Sequence, residues 1–456
     1  MSALRAGRTD PMRRGPRPRR GGGGSPGAPR LAVIADDLTG ANDTGVQFAR
    51  RGARTIVPLD WRDRGPLERE ADVLVLNTAS RALSAPAAAR RVRRAAAAAQ
   101  RAKVEAVYKK VDSTLRGNVG AELEALLAAF PSPLALLAPA FPPAGRTVRD
   151  GVLLVHGTPV DRTAAGRDPV TPVRESHLPT LLAARLRRPL HPLRLDLLRG
   201  SPARLAAAVR GWRAAGGVIL ADAETPQDLA RLARLARREA LAVTAGSAGL
   251  ALALAGALRW PGRGRARPPG GHRPVLLAVG SPNPVSQEQA ACAGRAGVCL
   301  VRVRVAEVVA GPARQRRELA RAVAQAAGSL AEGCDAAIVL PPGRRLPASA
   351  AGTLSGFLGR AVAGVARGWA PGGLVLCGGD IAMAACRALV ADGVELLGEV
   401  EPGLPWGRLL GGPAAGLPVA TKAGGFGTPE AFVRAVQFLR GGSRGRRAAE
   451  RQSQSP

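Results

Sequence analysis

The 456-residue chain has one tyrosine, four histidines and 3% aromatic residues. Its core must therefore be assembled from Leu, Val and Ala. No run of eighteen or more apolar residues occurs, so no membrane-spanning helix is expected. The first thirty residues lack an apolar h-region, which argues against a secretory signal. The five cysteines (Cys292, Cys299, Cys334, Cys377 and Cys386) form no C-x-x-C pair. Neither a zinc site nor a disulfide framework is expected, and a reducing cytoplasm is the simplest setting. The histidines (His156, His177, His191 and His272) show no metal-ligand spacing; His156, beside Gly157 and Pro159, is the one kept as a site candidate. G-x-x-x-x-G-K-[ST] is absent, which excludes a P-loop enzyme, and Ser247 in AGSAG does not stand in the G-x-S-x-G pattern of a nucleophile elbow.

Acidic residues are outnumbered, giving a formal charge of +32. This excess is spread along the chain, densest at Arg13–Arg20 and Arg440–Arg451. Arg and Ala enrichment with Lys, Asn, Ile and Tyr depletion is the mark of a GC-rich coding sequence. The charge is therefore read as compositional, with no specific nucleic-acid partner. Residues scarce under that bias become markers. Lysine occurs at 103, 109, 110 and 422, against 62 arginines. Asparagine occurs at 42, 77, 118 and 283, and the single Tyr108 directly precedes Lys109.

Short apolar runs alternate with Ala/Leu/Arg-rich helical stretches from residue 31 onward, the pattern of an α/β fold with mainly parallel sheet. Strands are expected at 31–35, 73–76, 104–108, 134–138, 218–221 and 241–245, and a helix at about 43–51. A Pro/Gly/Arg-rich stretch at 260–273 reads as a linker. Beyond it, strands are expected at 274–279, 336–340, 374–377 and 418–421, with helices near 351–367 and from about 381. The expected organisation is a disordered tail (1–29), a first domain (30–259), the linker (260–273), a second domain (274–440) and a basic tail (441–456). Each domain is expected to be a mainly parallel sheet flanked by helices, with the active site in the cleft between them.

Ligands of open α/β sheets bind at the carboxyl ends of the strands. In the first domain, four such loops carry Asp36, Asp37, Arg81, Lys109, Lys110, Asp112 and Arg146. Cations and carboxylates together suit a small anionic polyhydroxylated ligand, with Arg and Lys on its carboxylate and aspartates on its hydroxyls. Of the Asp36–Asp37 pair, one can cap a helix while the other meets ligand or Mg²⁺. In the second domain three Gly-bearing loops follow strands: Gly280-Ser281, Gly378-Gly379-Asp380 and Lys422-Ala423-Gly424-Gly425. Glycine lets backbone N–H groups approach phosphate, and helix N-termini add a favourable dipole.

Taken in order, these loops resemble the four-carbon acid sugar kinase family. The matching strings are IADDLTGANDTGVQFARRG (34–52), NTASR (77–81), YKKVDSTLRGNVGAELEALL (108–127), APAFPPAGRTVRDG (138–151), RDPVTPVRES (167–176), AGSAGLA (245–251), GSPNPVSQEQ (280–289), LCGGDIA (376–382) and TKAGGFG (421–427). The resemblance implies an N-terminal acid-sugar-binding domain, a C-terminal nucleotide-binding domain, and ATP- and Mg²⁺-dependent phosphorylation of a tetronate's terminal hydroxyl. Substrate contacts implied are Asp36, Asp37, Arg81, the Lys109-Lys110-Val111-Asp112 segment with Arg116, and Arg146. Nucleotide contacts implied are Ser281, Gly378, Gly379, Asp380, Ile381, Lys422, Gly424 and Gly425. An aspartate, Asp36, Asp37 or Asp112, is expected to orient or deprotonate the hydroxyl. Two positions depart from the family: Ile381 where Thr is common, and Asn283 where Ser is frequent. If Ile381 abolished nucleotide binding, the chain would be a sugar-acid sensor. A homodimer is left open.

Overall fold

The computed structural model describes residues 30–61, 67, 70–130, 132–168, 170–260, 271–342 and 348–441. The expected N-terminal tail, residues 442–456 of the basic tail and residues 261–270 of the linker lie outside these. In the first half the strands are β1 (Leu31–Ala35), β2 (Thr55–Pro58), β3 (Val73–Asn77), β4 (Ala106–Lys110) and β5 (Leu134–Ala138). A small antiparallel sheet follows, β6 (Arg146–Arg149), β7 (Val152–Val155) and β8 (Thr158–Pro159). The half closes with β9 (Leu190–Leu193), β10 (Gly217–Ala221) and β11 (Val243–Gly246). The second half contributes β12 (Val275–Val279), β13 (Cys299–Arg302), β14 (Ala336–Val339), β15 (Gly373–Cys377), β16 (Gly393–Glu401), β17 (Leu404–Leu410) and β18 (Pro418–Lys422).

Each half is a mainly parallel sheet flanked by helices, as expected. The two are also joined edge to edge. One 15-stranded sheet runs β13-β14-β12-β15-β18-β17-β16-β2-β3-β1-β4-β11-β5-β10-β9. The seam is antiparallel, with β16 residues Gly393–Leu396 paired to Pro58–Thr55 of β2. Arg54 reinforces it by pairing with Glu395, which also receives Arg408 from β17. The helix Leu38–Ala49 lies over this seam. From it Gln47 and Arg50 donate to Glu399 at 3.2 and 2.5 Å, and Asn42 donates to the Thr421 hydroxyl at 2.9 Å.

The core rests on Leu, Val, Ile and Ala, and both central strands β1 and β12 are fully buried. Continuous apolar strands are what a parallel sheet covered on both faces demands. In the first half the chain moves from β1 to β2 and β3 on one side, while β4 lies on the other. In the second half β13 and β14 lie on one side of β12 and β15 on the other. Both halves therefore present a switch point, where loops diverge and open a crevice.

Candidate active site

The helix expected from about residue 43 begins at Leu38, and this sets the site. Asp37 is its N-cap and accepts from the Gly40 N–H at 2.7 Å. Thr39, Gly40 and Asp43 then share one helix face, three and four residues apart. That face forms one wall of a cleft with Asp37, Arg81, Lys110, Asp112, Ser113 and Arg116. Gly403, Ala423 and Phe426 of the second half line the same cleft.

Salt bridges order the cationic wall. Arg81 makes a forked pair with Asp36, at 2.8 and 2.9 Å, and reaches Asp37 at 2.6 Å. Arg116 makes a second fork on Asp112, 3.0 Å on each side, and contacts Asp168 at 3.3 Å. Thr114 also bonds the Asp112 carboxylate through its N–H and hydroxyl. Burial tends to raise the pKa of both buried carboxylates, but the cations prevail. Arg81 keeps Asp36 below the ordinary carboxylate range, and Arg116 with Arg81 keeps Asp112 well below it. Asp37 is pushed upward by burial and by Asp36, against the pull of Arg81.

The two adjacent lysines were expected in the loop after a strand ending at Tyr108. Instead β4 runs through Lys110, so successive side chains point to opposite faces. Lys110 lines the cleft, its ammonium donating to the Val111 carbonyl at 2.8 Å. Lys109 is turned into the core, where it pairs with Glu122 at 2.8 Å and donates to the Lys110 carbonyl. Glu122 also accepts from the Ser80 hydroxyl at 2.5 Å. The structure thus brings Lys110 but not Lys109 to the cleft. Val111 is buried, its N–H bonded to the Gly246 carbonyl. Arg146 stands half-buried outside the cleft lining and donates to the Ala144 carbonyl; burial lowers its pKa. His156 is exposed and away from the cleft lining, at the turn after β7.

The glycine loops adjoin the same cleft. Gly378, at φ +110°, caps the helix Gly379–Ala388, and Gly379 abuts Thr39, whose hydroxyl would lie 3.0 Å from an added Cβ. The free N–H groups of Gly379, Asp380 and Ile381 form the first turn of that helix; the Asp380 side chain is exposed. Ile381 is buried, and its side chain fills the space a Cβ on Gly280 would need, at 2.4 Å. The residue that departs from the family pattern therefore packs under the Gly280 turn and leaves the backbone donors in place. Lys422 does not face the cleft. Its ammonium donates to the carbonyls of Ala423, Gly424 and Phe426 at 2.7, 3.3 and 2.8 Å, tying the glycine loop into shape. Burial lowers its pKa.

Ser281 and Gly424 are in direct apposition. A Cβ on Gly424 would fall 2.1 Å from the Ser281 hydroxyl and 3.0 Å from its Cβ, so rotating Ser281 does not relieve the overlap. The nucleotide contact that the resemblance implies at Gly424 predicts that Gly424→Ala raises the KM for ATP about tenfold or more while the sugar-acid KM holds. Initial-rate titrations of each substrate check this; equal shifts in both would place Gly424 elsewhere.

The scarce asparagines hold loops. Asn283 caps the helix Pro284–Arg295 through the Val285 N–H, and Asn118 donates to the Leu83 carbonyl at 2.8 Å. Asn77 accepts from the Ala79 N–H. Asp43, Ser113 and Phe141 line the cleft and were missed as candidates. Asp43 sits within the quoted IADDLTGAND string; a helix starting at 38 would have placed it on the cleft face.

A wall of ordered cations and carboxylates adjoining glycine loops and a helix N-terminus defines a two-domain phosphotransferase for a small anionic substrate. Residues 31–254 match the sugar-binding N-terminal domain family and residues 276–432 the nucleotide-binding C-terminal domain family. The chain is also 41% identical to a D-threonate kinase of Bordetella bronchiseptica, covering 91% of this chain and 98% of that one. It belongs to the four-carbon acid sugar kinases and is an ATP-dependent enzyme. It is 34% identical to a D-erythronate kinase of Heliobacterium modesticaldum (90% and 97% covered). Identity to a 3-oxo-tetronate kinase of Methylobacterium radiotolerans is 32% (90% and 99% covered). A solved structure from Salmonella typhimurium LT2 shares the fold at TM-score 0.77 and 23% identity, covering 89% of this chain and 98% of that one. Among the described residues, no helix is long and apolar enough to cross a membrane.

Proposed function

We propose that this kinase transfers the γ-phosphoryl group of ATP to the terminal hydroxyl of D-threonate. The arrangement that supports a sugar acid is the convergence of Arg81, Lys110 and Arg116 on one cleft, which Ala423 and Phe426 of the glycine loop also line. Threonate is favoured because three D-threonate kinases share 41%, 37% and 37% identity with the chain. The erythronate and 3-oxo-tetronate kinases stand at 34% and 32%.

In this reading Lys110 and Arg116 take the substrate carboxylate, with Arg81 fixed beside them by Asp36 and Asp37. Asp36 and Asp112 orient the two guanidinium forks. The helix turn at 379–381 and the Ser281–Gly424 apposition hold the nucleotide phosphates through backbone donors. Among the described residues, no group of three or more His, Cys, Asp or Glu is placed to hold a metal. This fits Mg²⁺ carried by phosphate oxygens and water rather than by a protein cage; when bound it neutralises charge on the transferring group.

An ADP-release assay on D-threonate, D-erythronate and 3-oxo-tetronate tests the proposal. The expected result is a kcat/KM for D-threonate at least about tenfold above the others. A higher value for either rival overturns the substrate assignment, and no turnover of any of the three by folded protein overturns the reading of the cleft.

A further inference from the structure

We propose that Asp43 is the catalytic base of this enzyme, receiving the proton of the substrate hydroxyl as the O–P bond forms. The proposal rests on the reading that the sugar acid occupies the cleft described above. Elimination among the carboxylates there carries it. Asp37 is occupied by the Gly40 N–H and by Arg81, Asp36 lies behind it in the Arg81 fork, and Asp112 is held by Arg116 and Thr114. A carboxylate held by a guanidinium fork is a poor proton acceptor, because protonation would sacrifice the ion pair. Asp43 lines the same cleft, and among the described residues its carboxylate makes no hydrogen bond and no ion pair.

Its position fits the role. Asp43 lies one helical turn from Thr39 and Gly40 and lines the cleft together with Arg81, Lys110 and Arg116 and with Gly403, Ala423 and Phe426 of the second half. The charged or titratable groups around it are Asp37 on its own helix, Lys110 and Tyr108 from β4, and Glu399 from β16. Burial raises its pKa to about 7, with Glu399 and Asp37 adding to the effect and Lys110 opposing it. A base poised there is half ionised at neutral pH, where general-base catalysis is most efficient. In the step itself the substrate O–H bond breaks and its proton passes to the Asp43 carboxylate. The oxygen's electron pair forms the new O–P bond. The bond from the γ-phosphorus to its bridging oxygen breaks, leaving ADP with that electron pair. Asp43 then returns its proton to solvent.

The test compares Asp43→Asn and Asp43→Glu with wild type, using D-threonate and Mg·ATP. Asp43→Asn is expected to lower kcat about 10²- to 10⁴-fold, with both KM values changed little. Wild-type kcat should rise with pH through an apparent pKa near 7, a limb that Asp43→Asn removes and Asp43→Glu retains at reduced rate. Stability gives a second readout. A carboxylate whose folded pKa is raised contributes stability that is lost as pH rises from about 4 to about 7. Asp43→Asn should therefore be folded and more thermostable than wild type at pH 8, with the gain shrinking toward pH 4. A kcat within about threefold of wild type, or an unchanged ascending limb in Asp43→Asn, overturns the assignment. So does recovery of Asp43→Asn by excess Mg²⁺ or Mn²⁺, which would make Asp43 a metal ligand. If wild type turns over no tetronate, the cleft reading fails with it; if wild type is active and Asp43→Asn is equally so, the base assignment alone fails.

Discussion

Lys109→Met is expected to destabilise the protein by about 3–5 kcal/mol, because it leaves Glu122 charged and buried without its partner. Lys109 is 1% exposed and Glu122 2%, so water replaces nothing that is lost. Against a total stability of about 5–15 kcal/mol, such a loss should be plain as a lower urea midpoint with an unchanged m-value. Pairing the change with Glu122→Leu should recover much of it, since an apolar pair of similar volume does not carry the desolvation penalty of a broken ion pair. Lys110→Met, one residue along, should lower the urea midpoint less than Lys109→Met, since no ion pair as close as Lys109–Glu122 is broken, and should depress kcat/KM. If Lys109→Met is as stable as wild type, the core assignment of this lysine is wrong.

The contrast between these neighbours shows how far the sequence could be read. The scarcity of lysine marked 109 and 110 as special, and both proved buried and engaged. Their division of labour depended on two residues of strand length: extending β4 from Tyr108 to Lys110 turns a loop pair into an alternating one. The helix boundary behaved alike. Gly40 made Leu38–Gly40 look like loop, whereas the Asp37 cap starts the helix there and carries Asp43 onto the cleft face. Ten of the parallel strands were legible because they are continuous apolar runs, whereas β2, β9 and β13, four residues each, did not stand out. The seam strands were not legible either: β16 carries Glu395, Glu399 and Glu401, a pattern that reads as exposed. In the fold all three are buried and paired with Arg54, Arg408, Arg50 and Arg434 from other elements. No local pattern signals an arginine that arrives from elsewhere in the chain.

Arg81→Met should have the largest effect on the site itself. It strips the fork from Asp36 and the contact from Asp37, leaving two carboxylates side by side in a poorly hydrated wall. Loss of one partner from a buried, hydrogen-bonded charge pair costs about 2–5 kcal/mol, so kcat/KM is expected to fall by about two orders of magnitude or more. The stability deficit should depend on pH. In wild type the folded pKa of Asp36 is depressed, so its contribution is present above the unfolded value near 3.8 and lost as pH falls through the folded value. Without Arg81, burial dominates and the folded pKa rises, so the variant loses stability as pH climbs from about 4. The gap to wild type should widen from pH 4 to pH 7 in thermal melts. Arg81→Lys retains the charge but not the planar fork, and should restore stability more than activity. A pH-independent gap would contradict this account of Arg81.

The claim on which everything else depends is that sugar acid and nucleotide share one cleft. Hydrogen exchange on the full chain, alone, with D-threonate, and with a non-hydrolysable ATP analogue plus Mg²⁺, tests it most directly. D-threonate should slow exchange in 36–43, 80–83 and 111–118, and the nucleotide in 280–285, 378–382 and 423–427. Protection by D-threonate confined to segments outside the first set, or by the nucleotide to segments outside the second, would contradict the account.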